Sequence, residues 1–246
     1  MSTPEQAEQE SVPPQPSRWR RIVRSPWTHL VAAFVVLALI QGFVVKLYQV
    51  PSSSMEPTLQ VSDRILVNRL AYVGSEPEIG QTVVFNRPSA WGEDSLRGPL
   101  RTAIGWIGDL IGIGPSNSHA LVKRIVAGPG QTVSCCSTDG ALIVDGEEQP
   151  LPDPAYDLPY EAGVLDCETA PASTRCFREF TVPEGQYLVL GDHRSNSDDS
   201  LGRCRSDGVP DIADCVKLVP RDAIVGTASF VIWPLNRLGP VPQLGD

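Results

Sequence analysis

Residues 120–127 read Ala120-Leu121-Val122-Lys123-Arg124-Ile125-Val126-Ala127, two adjacent cations inside an otherwise apolar run. Eight residues rich in Val and Ile, with no Gly or Pro, predict a β-strand. Alternation puts Lys123 on one face with Leu121 and Ile125, and Arg124 on the other with Val122 and Val126. Either face can be the buried one. If it is the first, Lys123 leaves water, its charged form is disfavoured and its pKa falls. Short runs of the same kind recur, bounded by Gly, Pro, Asn and Asp: Arg64–Leu70, Thr82–Phe85, Ala141–Val144, Tyr187–Leu190 and Ala223–Trp233. Asp145-Gly146, directly after Leu142-Ile143-Val144, predicts a two-residue hairpin turn. With 23 Pro and 21 Gly along the chain, long helices are scarce and the main domain reads as mostly β. One stretch departs from this: Ile104, Ile107, Leu110 and Ile111 fall at helical spacing within Leu100–Pro115. It predicts a helix packed on the core or a segment dipping into a membrane leaflet.

The amino-terminal end has a different character. Residues 1–17 are mainly Glu, Gln, Pro and Ser and predict a disordered tail. Arg18, Arg20, Arg21 and Arg24 follow, then Trp27 and an apolar run from Leu30 to Val45 interrupted only by Gln41 and Gly42. At about 1.5 Å per residue, the stretch from Trp27 to Lys46 just crosses a bilayer core. The expected organisation is therefore a basic-ended cytoplasmic tail over 1–26, a transmembrane anchor over 27–46 and an extracytoplasmic domain over 47–246. Arginines ahead of the span place the amino terminus inside. A cleaved signal peptide would need small residues soon after the apolar run; Val45-Lys46-Leu47-Tyr48-Gln49-Val50-Pro51 supplies none.

The 246 residues are 41% hydrophobic and 20% charged, which excludes a wholly disordered chain and a multi-pass membrane protein. The formal net charge is −9; the tail contributes +1 and Lys46 +1, leaving −11 beyond residue 46. Nucleic acid is thereby excluded as a partner, since phosphate binding needs a basic surface. Six cysteines, at 135, 136, 167, 176, 204 and 215, read as disulfides formed in an oxidising compartment. They allow 15 complete pairings, of which Cys167–Cys176 and Cys204–Cys215 are the shortest separated closures. No pair has metal-ligand spacing, so no metal is expected.

Chemistry is offered by three segments. Val50-Pro51-Ser52-Ser53-Ser54-Met55-Glu56-Pro57-Thr58-Leu59 places serines just past the anchor, with prolines restricting the backbone on both sides. A serine hydroxyl needs a base, and His119, His193 and Lys123 are the candidates. A Ser-His-Asp arrangement of the Gly-x-Ser-x-Gly type has no counterpart here. Gly191-Asp192-His193-Arg194-Ser195-Asn196-Ser197-Asp198-Asp199-Ser200 supplies a dense set of short donors and acceptors after the strand Tyr187–Leu190.

Together with Asp63-Arg64-Ile65-Leu66-Val67-Asn68-Arg69 and Lys123 through Gly130, these segments resemble, in order behind an anchor, the bacterial type I signal peptidases. The resemblance implies a mostly antiparallel β-sheet, barrel-like catalytic domain behind one amino-terminal helix. It implies Ser54 as nucleophile, Lys123 as general base, and Ser52 with the Ser54 amide as oxyanion hole. Ser197 would hydrogen-bond the lysine, and Asp199 would support the site. Many relatives carry Arg directly after the Asp-Ser pair; Leu201 stands there, leaving Arg194 or Arg203 as the partner for Asp199. The segments near 100–115, 131–178 and 204–215 read as insertions.

The implied function is a membrane-bound serine endopeptidase that removes signal peptides from secretory preproteins after a small-x-small motif. It would act in the bacterial cytoplasmic membrane as a monomer, in contact with lipid and without metal or organic cofactor. Two other readings remain. One is a different Ser-Lys protease of the same fold, such as the self-cleaving repressors. The other is a membrane-tethered, disulfide-stabilised β module that binds an exported partner without catalysis.

Overall fold

The computed structural model describes residues 23, 25–92, 120–150, 153–205 and 211–244. His119 and Leu100–Pro115 lie outside them. The chain divides into two compact units, one ending at Leu39 and one beginning at Ile40. In the first, helix α1 spans Pro26–Leu39 and none of its residues is buried. A π-helical turn over Ile40–Val44 continues it. The resulting helix, Pro26–Val44, has 19 residues and is long and apolar enough to cross a membrane. Val45 and Lys46, the last two residues of the expected anchor, lie in a strand and pair with Asn68 and Val67.

The second unit is mostly antiparallel β. Its larger sheet joins β1 (Val45–Gln49), β2 (Arg64–Asn68), β3 (Thr82–Asn86), β4 (Ala120–Ala127), β9 (Gln186–Leu190), β10 (Val219–Pro220) and β11 (Ile224–Trp233). The order is β1-β2-β11-β3-β4-β9-β10, with β12 (Gly239–Pro240) added on β11. The smaller sheet, ordered β7-β6-β5-β8, comes from the cysteine-bearing segment. It comprises β5 (Thr132–Cys135), β6 (Leu142–Val144), β7 (Glu147–Glu148) and β8 (Phe177–Thr181). Asp145 and Gly146 form the tight β6–β7 turn; both have positive φ, 51° and 86°, as the mirror-image hairpin turn requires.

Strand β4 decides the arrangement. It lies inside the larger sheet between β3 and β9, and residues Val122 to Ala127 are all buried. Both faces are covered, so neither cation reaches bulk water. Leu121 and Ile125 pack with Val83, Phe85, Trp91 and Tyr187, while Val122 packs with Met55, Leu59, Ile65 and Val67. Arg124 is 1% exposed, and its guanidinium grips Asp192 through two bonds of 2.7 and 2.8 Å. It also donates to the Gly80 and Pro242 carbonyls. Buried charge is tolerated here because it is paired and its donors are occupied.

All six described cysteines are oxidised. Cys167–Cys176 and Cys204–Cys215 are bridged as expected, and the remaining bridge joins the neighbours Cys135 and Cys136.

Candidate active site

The serine loop is held by its apolar residues. Val50, Met55 and Leu59 are essentially inaccessible and pack with Ile65, Val67 and Val122. Between them the chain makes a single 3₁₀ turn, Ser53–Met55, with Ser52 extended at its start. Asp63 pins the loop from below. Its carboxylate accepts from the Gln60 amide at 2.8 Å and from Arg237, which also donates to the Thr58 carbonyl. Met55 points into the core, and the side chain before it turns toward β4.

There Lys123 Nζ donates to Ser54 Oγ at 2.6 Å, joining residues 69 apart in sequence. Both are buried, Ser54 at 7% and Lys123 at 4% exposure. Ser52 Oγ stands 3.3 Å from Ser54 Oγ, and Ser52 as a residue is exposed. Desolvation pushes the Lys123 pKa down to about 8, against the upward pull of Asp199, Asp198 and Asp192, and Lys217 adds a smaller downward push. A lysine of that kind has a useful neutral fraction near neutral pH, which an exposed lysine lacks. A cleft opens beside the pair, lined by Arg87, Trp91, Leu121, Asn196 and Asp198 as well as Ser52, Ser54 and Lys123.

The segment after β9 closes over the serine. The His193 amide donates to the Ser54 carbonyl at 3.1 Å, and Asn196 Nδ2 donates to Ser53 Oγ at 3.0 Å. Gly191 makes this approach possible: a Cβ there would lie 2.4 Å from the Ser54 carbonyl oxygen and 2.2 Å from Ser197 Oγ. No side chain fits in that space. Asp199 Oδ2 accepts from the Gly191 amide at 3.1 Å and fixes the segment from behind.

Two expected contacts are not made. Ser197 Oγ is buried without a hydrogen-bond partner and does not hold Lys123, whose ammonium is directed at Ser54. Asp199 pairs neither with Arg194 nor with Arg203. Its partner is Arg205, whose Nη2 lies 2.9 Å from each carboxylate oxygen. The 3₁₀ turn Gly202–Cys204 carries the chain round so that Arg205 reaches back. Arg194 spends its Nε on the Gly191 carbonyl at 3.1 Å, and burial lowers its pKa. His193 stacks edge-on against Tyr156 with ring centroids 4.6 Å apart, and its Nδ1 lies 3.2 Å from Ser195 Oγ, so Lys123 is the base candidate at the serine.

Sequence reasoning missed five participants: Gly191, Arg205, Arg124 with Asp192, and Lys217. Lys217 is buried over the Trp91 ring, 4.8 Å from its centroid, and pairs with Asp198 at the cleft. The scarcity of lysine, three in the chain, was the available signal for it.

The model of the family described as signal peptidase, peptidase S26, matches residues 23–233. A signal peptidase I of Mycobacterium tuberculosis is 35% identical over 250 residues, covering 94% of this chain and 81% of its own. One from Leptolyngbya laminosa is 32% identical over 206 residues, with 83% and 77% covered. Signal peptidase IB of Staphylococcus aureus is 28% identical over 213 residues, with 85% and 88% covered.

Proposed function

The chain belongs to the signal peptidase family, peptidase S26, and is a serine protease that cleaves signal peptides; from that premise we propose that it works through a Ser54–Lys123 dyad at the outer face of the cytoplasmic membrane. The observation carrying this reading is the buried 2.6 Å contact between Lys123 Nζ and Ser54 Oγ. When Lys123 is neutral, the Ser54 hydroxyl donates to Nζ, which takes the proton as Oγ attacks the scissile carbonyl. The oxyanion is held by the Ser52 hydroxyl, 3.3 Å from the nucleophile, and by the Ser54 amide. Lys123 then hands its proton to the leaving amine. Water, deprotonated by the same lysine, releases the acyl group. The roles of Ser197 and Asp199 are to pack and brace the segment that covers Ser54.

The substrate is a secretory preprotein bound as an added strand, with small side chains at −3 and −1. Residues 27–46 act as the anchor, with the tail 1–26 inside and 47–246 outside, in contact with lipid. Pro26–Val44 is long and apolar enough for that placement. One chain carries both members of the dyad, which suits a monomer.

Purified chain in lipid, mixed with a secretory preprotein and read by mass spectrometry, is expected to give one cut after a small-x-small sequence. Ser54→Ala is expected to abolish it. Folded wild-type protein that leaves the preprotein intact would instead support the non-catalytic binding module.

The pH profile follows from Lys123. Its neutral form is the active one, so the single-turnover rate is expected to rise about tenfold per pH unit below the lysine's pKa. It levels off above about 8. A rate already flat at neutral pH, with chemistry limiting, would contradict a protonated resting lysine.

A further inference from the structure

Three carboxylates face Lys123, and each has its own cation. Asp192 is paired with Arg124 at 2.7 Å, Asp198 with Lys217, and Asp199 with Arg205 at 2.9 Å. Among the described residues, Arg87, in the cleft, and Arg194, behind Gly191, also lie near the dyad. Asp199 is wholly buried, and besides Arg205 it accepts the Gly191 amide at 3.1 Å and the Leu201 amide at 3.2 Å. Arg205 also donates to the Ser197 carbonyl at 2.7 Å. It therefore ties together both ends of the segment whose Gly191 lies against Ser54.

Among the described residues, the further support for Arg205 comes from the chain that leads to it. The arginine follows a single 3₁₀ turn, and its side chain is 15% exposed. The residue before it, Cys204, is bridged to Cys215. Cys204 is buried beside Ile212 in the cluster that contains Val126, Leu188 and Leu190. The bridge thus fastens the base of the arginine to the core behind β4 and β9. A covalent tie of this kind restricts the positions open to the chain.

We propose that Arg205, fastened by the Cys204–Cys215 bridge, is a positioning residue for the Ser54–Lys123 pair, acting through Asp199 and Gly191. This rests on the reading of Ser54 and Lys123 as nucleophile and base. Without the guanidinium, Asp199 keeps its place near Lys123 with its paired cation gone and its charge less compensated. An anion beside an ammonium favours the protonated form, so more alkaline solution is needed to free the base. The loosened segment also lets the Ser54 carbonyl shift.

The test uses the full chain in lipid with a peptide spanning a signal-peptide junction, followed from about pH 6 to about pH 10. Arg205→Gln is expected to move the rise in rate upward by about one pH unit and lower the rate at pH 7 about tenfold. Arg205→Lys recovers part of this. The Cys204→Ala/Cys215→Ala double variant moves the profile the same way, since its arginine is present but unfastened. An unmoved profile in Arg205→Gln, with only lowered stability, overturns the proposal. If that variant does not fold, an unmoved profile in Arg205→Lys and in the double variant does so. A shifted Arg205→Gln with an unshifted double variant keeps the arginine and removes the bridge. Lys123→Met run alongside separates the two layers, because cleavage surviving in it overturns the dyad itself.

Discussion

Lys123→Met is expected to lower cleavage at least about a thousandfold while making the protein more stable, about 3 kcal/mol at pH 7. The activity loss follows from removing the basic group that, among the described residues, contacts Ser54 Oγ. The stability gain follows from linkage. The folded-state pKa is about 8 against an ordinary 10.5, because burial disfavours the ammonium. Below 8 both folded and unfolded wild type carry the proton, and the folded state bears the whole desolvation penalty. Between 8 and 10.5 the unfolded chain binds a proton the folded chain has released, so wild-type stability climbs with pH. Above 10.5 the penalty is gone. Methionine, of similar length and uncharged, avoids it throughout. Urea titrations of both proteins at neutral and at strongly alkaline pH check this: the gap is expected to close as pH rises. A methionine variant less stable than wild type at neutral pH would refute the account.

Gly191→Ala is expected to lower cleavage by at least about a hundredfold and to destabilise the fold by about 1–3 kcal/mol. The added Cβ would lie 2.4 Å from the Ser54 carbonyl oxygen and 2.6 Å from Ser197 Cβ. Backbone cannot swing aside as a long side chain can, so Ser54 or the 191–199 segment must move. Either movement breaks the His193 amide bond to the Ser54 carbonyl. Ser197→Ala combined with Gly191→Ala relieves only the 2.2 Å clash with Ser197 Oγ, so the pair is expected to recover stability in part and activity little. Rates and unfolding midpoints of the three variants decide it; a Gly191→Ala enzyme with wild-type rates would mean that the close approach has no role.

Most strands of the larger sheet were legible because β2, β3, β4, β9 and β11 are dense in branched apolar residues and bounded by turn formers. Strand β1 was not. Its Val45 and Leu47 continue the apolar run of the helix, and only pairing with β2 shows where one element ends. β5 and β8 are short and partner each other across some forty intervening residues, a relation periodicity does not carry. The site divides the same way. Local pattern placed Lys123 on a strand and left three bases open; the family resemblance chose among them. The Asp199–Arg205 pair escaped because it depends on a turn and a disulfide, which bring back an arginine two places beyond the one considered.

That β4 is covered on both sides has a consequence for how such a chain can change length. Lys123 and Arg124 occupy opposite faces, one meeting Ser54 and the other Asp192. A single inserted or deleted residue that slid β4 by one place would swap its faces; slid in one direction, it brings to the serine the Arg124 guanidinium, which stays protonated at any working pH, and leaves Ile125 against Asp192. Slid in the other direction, it sets Lys123 against a carboxylate built for a two-pronged partner and leaves Val122 at the serine. Additions to the chain are therefore confined to the connections, and those entering and leaving this strand can grow only if the eight residues keep their phase. In sequence, residues 87–119 precede those eight residues and the cysteine-bearing segment follows them.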